Sequence, residues 1–130
     1  MITYEVVPRL AVEDFIDLLQ RSSLAKRRPI DDLQCMQGMV DQASLILVAK
    51  EGKKIVGIAR SVTDFSYCCY VSDLAVDQSY QRAGIGKMLI AKTKEKLLPS
   101  CKLILLSAPD AVAYYPKVGF EKHSAAFVLK

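Results

Sequence analysis

The stretch best suited to chemistry is Gln81-Arg82-Ala83-Gly84-Ile85-Gly86-Lys87, which follows the apolar run ending at Val76. Two glycines ahead of a helical pattern let backbone N–H groups close around an anion, and a helix start adds a partial positive charge. Arg82 and Lys87 bring full charges to the same place. Two known phosphate loops are excluded on spacing. A Walker loop requires Gly-x-x-x-x-Gly-Lys-Ser/Thr, and Gly86-Lys87-Met88 lacks both the first glycine and the hydroxyl. A dinucleotide fingerprint requires a third small residue where Leu89 stands, in the first β-α unit. The loop is a third kind of anion site. Taken alone, a Gly-x-Gly before a helix is more often only a turn.

Three further groups are candidates. Asp73 is the one carboxylate in Tyr70-Val71-Ser72-Asp73-Leu74-Ala75-Val76. Strand alternation places it on the face of Val71 and Ala75, opposite Tyr70, Ser72 and Leu74. It reads equally as a base or amine anchor and as a group bonded to backbone. Tyr115 lies in Tyr114-Tyr115-Pro116-Lys117-Val118-Gly119-Phe120, either as a phenolic acid or as a core tyrosine beside Phe120, with Pro116 holding its backbone extended. The run Lys26-Arg27-Arg28 reads as a solvated face, or as a means of steering acidic substrates. His123 reads as a solvated or packing residue. Cys35, Cys68, Cys69 and Cys101 form no C-x-x-C pair, and with a single histidine no metal site is expected. Reduced thiols are the favoured reading.

These residues must be positioned by a chain of 130 residues, which reads as one domain over 1–130. Apolar residues make up 52% and charged residues 25%, which excludes intrinsic disorder. The longest apolar runs, Leu45–Ala49 and Leu103–Leu106, fall far below the ~20 residues of a membrane span, and the N-terminus carries no signal-peptide pattern. A soluble, cytoplasmic protein without membrane partners is expected. The net charge of +4 is too small and dispersed for nucleic acid, yet it suits a small polyanion.

Apolar periodicity predicts a strand at 3–7, a helix at 11–21 and a second helix from Asp31-Asp32. It then predicts a hairpin of 44–50 with 54–62, a strand at 67–76 and a helix at 85–98. A strand at 102–107, a short helix at 110–115 and a final strand pair over Phe120–Lys130 complete the order. The fold class is α/β, a sandwich with a mainly antiparallel sheet and one parallel crossover.

Gln81-Arg82-Ala83-Gly84-Ile85-Gly86 resembles the Gln/Arg-x-x-Gly-x-Gly/Ala signature of the GCN5-related N-acetyltransferase (GNAT) superfamily. Leu74-Ala75-Val76 is similar to that family's strand, and Tyr114 to Phe120 to its Phe-Tyr-x-x-x-Gly-Phe segment. The three occur in the right order and spacing, and the motifs cover about half the chain. The resemblance implies a mixed sheet with two parallel strands that splay apart. It also implies direct acetyl transfer from acetyl-coenzyme A, as co-substrate and without metal, to a small-molecule or protein amine. The same fold without turnover, as an acyl-coenzyme A-binding or interaction module, is the alternative.

By that resemblance Leu74, Ala75 and Val76 pair with the pantetheine arm, and Gln81, Arg82, Ala83, Gly84, Ile85, Gly86 and Lys87 hold the pyrophosphate. A backbone N–H in the splay polarises the acetyl carbonyl. Tyr115 aligns with the tyrosine that protonates the departing thiolate, and Asp73 is the candidate base. Tyr70 and Ser72 offer instead a proton exit through water, and Ser107 and Asp110 stand where the family often has asparagine. The spacing from Ser107 to Phe120 is similar to a compact branch that includes plant arylalkylamine acetyltransferases. The resemblance leaves a homodimer open.

Overall fold

In a computed structural model covering residues 1–130, five strands form one sheet in the order β1-β2-β3-β4-β5. The strands are β1 (Ile2–Val6), β2 (Leu45–Glu51), β3 (Lys54–Thr63), β4 (Cys68–Val76) and β5 (Lys102–Ile104). The first four pair antiparallel and β5 pairs parallel to β4. The expected mixed α/β architecture is the one observed.

Helix α1 (Val12–Arg21) carries Glu13 and Asp14 in its first turn and Arg21 in its last, each complementing the helix dipole. Its apolar stripe buries Phe15, Leu18 and Leu19. Helix α2 (Leu33–Asp41) is capped by Asp32, whose carboxylate accepts from Cys35 N–H at 3.0 Å, and buries Met36 and Val40. Both helices pack on one face of the sheet against Ile46, Val48, Ile58 and Ala75. On the other face α3 (Ile85–Glu95) sets Ile85 and Leu89 against Leu47, Ala49, Val56 and Ala59. Gly57 lets α3 come this close: a Cβ there would sit 3.1 Å from both Ile85 and Leu89.

With both faces covered, β2 is buried over Leu45–Ala49, which explains its unbroken apolar run. Gly52, at φ +61°, turns β2 into β3.

Three expectations need correction. The strand expected over 102–107 stops at Ile104. The short helix divides into a 3-10 turn at Pro109–Ala111 and α4 (Tyr114–Lys117), so Tyr115 is helical rather than extended. Pro116 is tolerated because it lies in the first turn, where its missing N–H has no helical partner. The final strand pair is absent: residues 121–130 form no ladder, and Phe127 is 92% exposed and Leu129 fully so. A strand needs a partner, and β5 offers an edge only three residues long. No helix is long and apolar enough to cross a membrane.

Candidate functional site

β4 and β5 share only the pairs Cys68–Lys102, Cys69–Leu103 and Tyr70–Ile104. β4 continues to Val76, so one of its edges stands open from Val71 onward. One bond tells which backbone groups face that opening. Asp77 N–H donates across to Val56 O at 2.8 Å, so odd-numbered residues of this half turn their backbone toward β3. Even-numbered residues turn theirs outward. Ser72 O accepts from Arg28 Nη2 at 2.8 Å, and Val76 O accepts from the Gln81 side-chain amide at 3.3 Å. Between them Leu74 directs its N–H and C=O into a cavity of about 500 Å3.

At one end of that cavity the chain turns sharply into α3. Gly84, at φ +77°, is the N-cap, and Arg82 two residues earlier also has a positive φ of 68°. A left-handed residue followed by a helical one turns successive N–H groups toward the same point, which makes an anion-binding concavity. The α3 dipole and the adjacent Arg82 and Lys87 add charge of the right sign. Of the cofactor-binding residues expected from sequence, Leu74, Ala75, Val76, Gln81, Arg82, Gly84, Ile85, Gly86 and Lys87 all line this cavity; Ala83 does not. The two glycines differ in purpose. Gly84 supplies a backbone conformation in open space, whereas a Cβ at Gly86 would lie 3.0 Å from the Tyr114 hydroxyl.

The opposite wall is Leu105, Leu106 and Ala108 together with Tyr114 and Tyr115 of α4. The rings of Tyr114 and Tyr115 meet edge-on at 5.3 Å, and Phe120 fixes the other side of Tyr115 at 5.6 Å. Burial pushes the Tyr115 phenol above its ordinary value and Tyr114 adds to this, while Arg28 pulls it down. Tyr115 therefore stays protonated through the neutral range. Burial alone raises Tyr114.

Asp73 is not on this surface. The expected alternation fails at a β-bulge: Arg60 pairs with Asp73, but the next residue, Ser61, pairs with Val71, so Ser72 is the extra residue of β4. Val71 then packs with Cys69 and Cys101, while Ala75 packs under α1 with Phe15 and Ile58. Asp73 goes with Ala75. Its carboxylate is fully buried and receives Nε of Arg28 at 2.5 Å and Nε of Arg60. Ser72 and Asp110 line the cavity; Tyr70 and Ser107 do not.

Arg28, Ser22, Ser23 and Leu24 form the last wall, and apart from Arg28 within its basic run none of them stands out in the sequence. Asp77, buried below the glycine loop, holds Arg21 of α1 at 2.5 Å and accepts from Ser79 N–H at 2.8 Å. It fixes the loop to the first helical layer. Burial alone would raise the Asp77 carboxyl, but Ser79 and Arg21 hold it below its ordinary value. The four cysteines are free, and no cluster of His, Cys, Asp and Glu suits a metal.

Residues 20–130 match the acetyltransferase (GNAT) domain family. Histone acetyltransferase TAP1 of Glycine max is 31% identical over 105 residues, covering 73% of this chain and 46% of that protein. The chain spans about half the length of the curated relatives it matches first. In structure it is similar to a GNAT-family acetyltransferase from Streptococcus pneumoniae, with a TM-score of 0.78, 24% identity and coverage of 100% and 98% of the two chains. It is also similar to AAC(6')-Iy in complex with the bisubstrate analogue CoA-S-monomethyl-acetylneamine, with a TM-score of 0.75, 15% identity and coverage of 100% and 97%. At those identities the two structural likenesses concern the fold alone.

Proposed function

The chain belongs to the GNAT acetyltransferase family, and from that premise we propose that it transfers an acetyl group from acetyl-coenzyme A directly to an amine, of a small molecule or a protein. The observation that carries the reading is the open edge of β4 leading to the glycine-turned start of α3, with Tyr115 on the facing wall. An extended pantetheine arm fits that edge as an added strand, using the backbone of Leu74. The pyrophosphate fits the N–H groups around Gly84–Lys87, supported by Arg82.

When bound, the thioester supplies an activated acetyl group. The chain's own residues then have three tasks. Beyond Tyr70 the edge of β4 has no partner strand, and an outward-facing backbone N–H there can polarise the acetyl carbonyl. Tyr115 holds a phenolic proton through the neutral range and gives it to the departing sulfur. The amine must lose its own proton, and Asp73 cannot reach it without breaking both arginine contacts. Within this proposal Asp73 is a positioning residue, and the proton leaves through water beside Ser72. Four free thiols suit a reducing compartment, and cytoplasmic residence is part of the same proposal.

The test is calorimetric titration with coenzyme A, followed by thiol release from acetyl-coenzyme A over a panel of amines. Binding with amine-dependent thiol release is expected. Tight binding without release on any amine would overturn the catalytic reading in favour of an acyl-coenzyme A-binding module.

A further inference from the structure

One wall of the cavity carries a cation whose charge is felt at Tyr115. Arg28 follows the 3-10 turn Ser23–Arg27, and its guanidinium crosses to β4. Nε donates to Asp73, Nη2 to Ser72 O and Nη1 to Arg27 O. Each terminal nitrogen of a guanidinium carries two N–H groups, so one on Nη1 and one on Nη2 have no acceptor in the protein. Asp73 does not cancel this charge. It also answers Arg60, so one buried carboxylate serves two guanidiniums and the group keeps a net positive charge. Arg60 is sealed at 6% exposure, whereas Arg28, at 19%, borders the cavity. The exposed Lys26 and Arg27 precede it. The one acid lining the cavity, Asp110, lies on the opposite wall beyond Ala108.

The geometry points to Arg28 as an anion subsite for the acceptor, which is therefore an amine that also bears a carboxylate. This deepens the acetyl-transfer reading and rests on it. A carboxylate accepts charge-assisted hydrogen bonds from the two unused N–H groups, in a partly buried setting that strengthens them. The amine at the other end of such a molecule then lies within the same cavity, which Tyr115 also lines. A polycationic amine meets the same guanidinium with like charge, and no carboxylate on this wall receives it.

The experiment compares matched acceptors, 4-aminobutyrate against butylamine and phenylalanine against phenethylamine, with spermidine as the polycation. kcat/KM is measured in wild type, Arg28→Gln and Arg28→Lys. The lysine keeps a charge beside Asp73 and so protects folding, but lacks the planar fork. Wild type is expected to favour the carboxylated member of each pair by about tenfold or more, the size of one charge-assisted hydrogen bond. The ratio should collapse toward one in Arg28→Gln and fall in Arg28→Lys, chiefly through a rise in KM for the carboxylated acceptor. Coenzyme A affinity should stay within about twofold of wild type.

Wild-type preference for the uncarboxylated amines or for spermidine would overturn the subsite. So would loss of coenzyme A affinity in Arg28→Gln with the acceptor ratio unchanged. Should no acceptor turn over, calorimetry of 4-aminobutyrate and butylamine on the coenzyme A-loaded protein decides the matter by the same ratio. Failure to bind coenzyme A at all would overturn the acetyl-transfer reading instead, and the two amines titrated into the free protein would still decide on Arg28.

Discussion

Arg60 and Asp73 stand opposite each other across the β3–β4 ladder, at the pair that flanks the bulge, and the same carboxylate receives Arg28 from 45 residues earlier in the chain. Arg60 also donates to Met39 O at 3.0 Å, so this one ion group ties α2, β3, β4 and the turn after α1 together. The bulge it braces is the point at which β4 begins to part from β5.

Asp73→Asn removes the charge that two guanidiniums share and leaves both partly desolvated. Breaking a buried pair in this way costs about 3 kcal/mol or more, read as a fall in denaturant midpoint. The folded fraction should retain coenzyme A binding and most of its turnover. Unchanged stability with turnover abolished would return Asp73 to the role of proton acceptor.

Gly86 and Tyr114 provide a separate test of the anion loop. A side chain at Gly86 meets the Tyr114 hydroxyl at 3.0 Å but the ring carbon behind it only at 3.8 Å. Combining Gly86→Asp with Tyr114→Phe therefore relieves the steric conflict and leaves the electrostatic one. The double variant is expected to fold and to lose coenzyme A affinity by more than about tenfold, because its carboxylate competes for the N–H groups at the α3 start. Wild-type affinity in the folded double variant would show that the pyrophosphate binds elsewhere.

The thiols should react in two classes. Cys35 and Cys68 are exposed, whereas Cys69 and Cys101 are buried together beneath Val71 and Leu103. Burial also pushes the Cys69 thiol above its ordinary value, which lowers its thiolate fraction further. A chromogenic disulfide should titrate Cys35 and Cys68 at once, with Cys69 and Cys101 following only after denaturant is added. Four equally fast thiols would mean that the β4–β5 junction opens readily.

How far the site was legible depended on the span of each signal. The glycine loop, the Gly52 turn and the apolar stripe of α1 are written within a few neighbouring residues, where local chemistry is enough to read them, whereas the acid role of Tyr115 rests on the family resemblance. Strand alternation rightly groups Asp73 with Ala75 but also groups it with Val71, because a one-residue bulge at Ser72 has no marker of its own: neither glycine nor proline stands there. Arg28 was visible only as one of three basic residues. Its distinction lies in a contact across 45 positions, which periodicity cannot carry. The tail misleads for a related reason, since Phe127-Val128-Leu129 has strand-like residues while the neighbouring edge strand β5 is only three residues long.

Acid should weaken the fold through two carboxylates. Backbone N–H groups of Tyr67, Ser66 and Cys68 lower the Asp64 carboxyl, and Asp77 is held low by Ser79 and Arg21 against the opposing effect of burial. A carboxyl lowered in the folded state binds protons more readily when unfolded. Its stabilisation is complete above the unfolded value of about 3.9 and is lost as pH falls through the folded one. Denaturant midpoints should decline below about pH 4, and Asp77→Asn should flatten part of that limb. A limb of unchanged slope in Asp77→Asn would show that Asp77 is not held below its ordinary value in solution.

Tyr115 carries the most direct prediction for turnover. Tyr115 lines the cavity, and burial raises its phenol above the ordinary value, so it stays protonated through the neutral range. Tyr115→Phe keeps the edge-on packing with Tyr114 and Phe120 and removes only the proton donor. kcat is expected to fall by roughly 100-fold, the low end for loss of a general acid, with coenzyme A affinity nearly unchanged. The pH profile separates this from a packing role. In wild type kcat/KM should rise with pH as the amine loses its proton, and any fall should come above the ordinary phenol value of about 10, because burial raises the Tyr115 pKa. That upper limb should vanish in Tyr115→Phe. An unchanged kcat, with acetyl transfer shown to be rate-limiting by a burst-free time course and a solvent isotope effect, would remove Tyr115 from the chemistry and leave it a wall of the cavity.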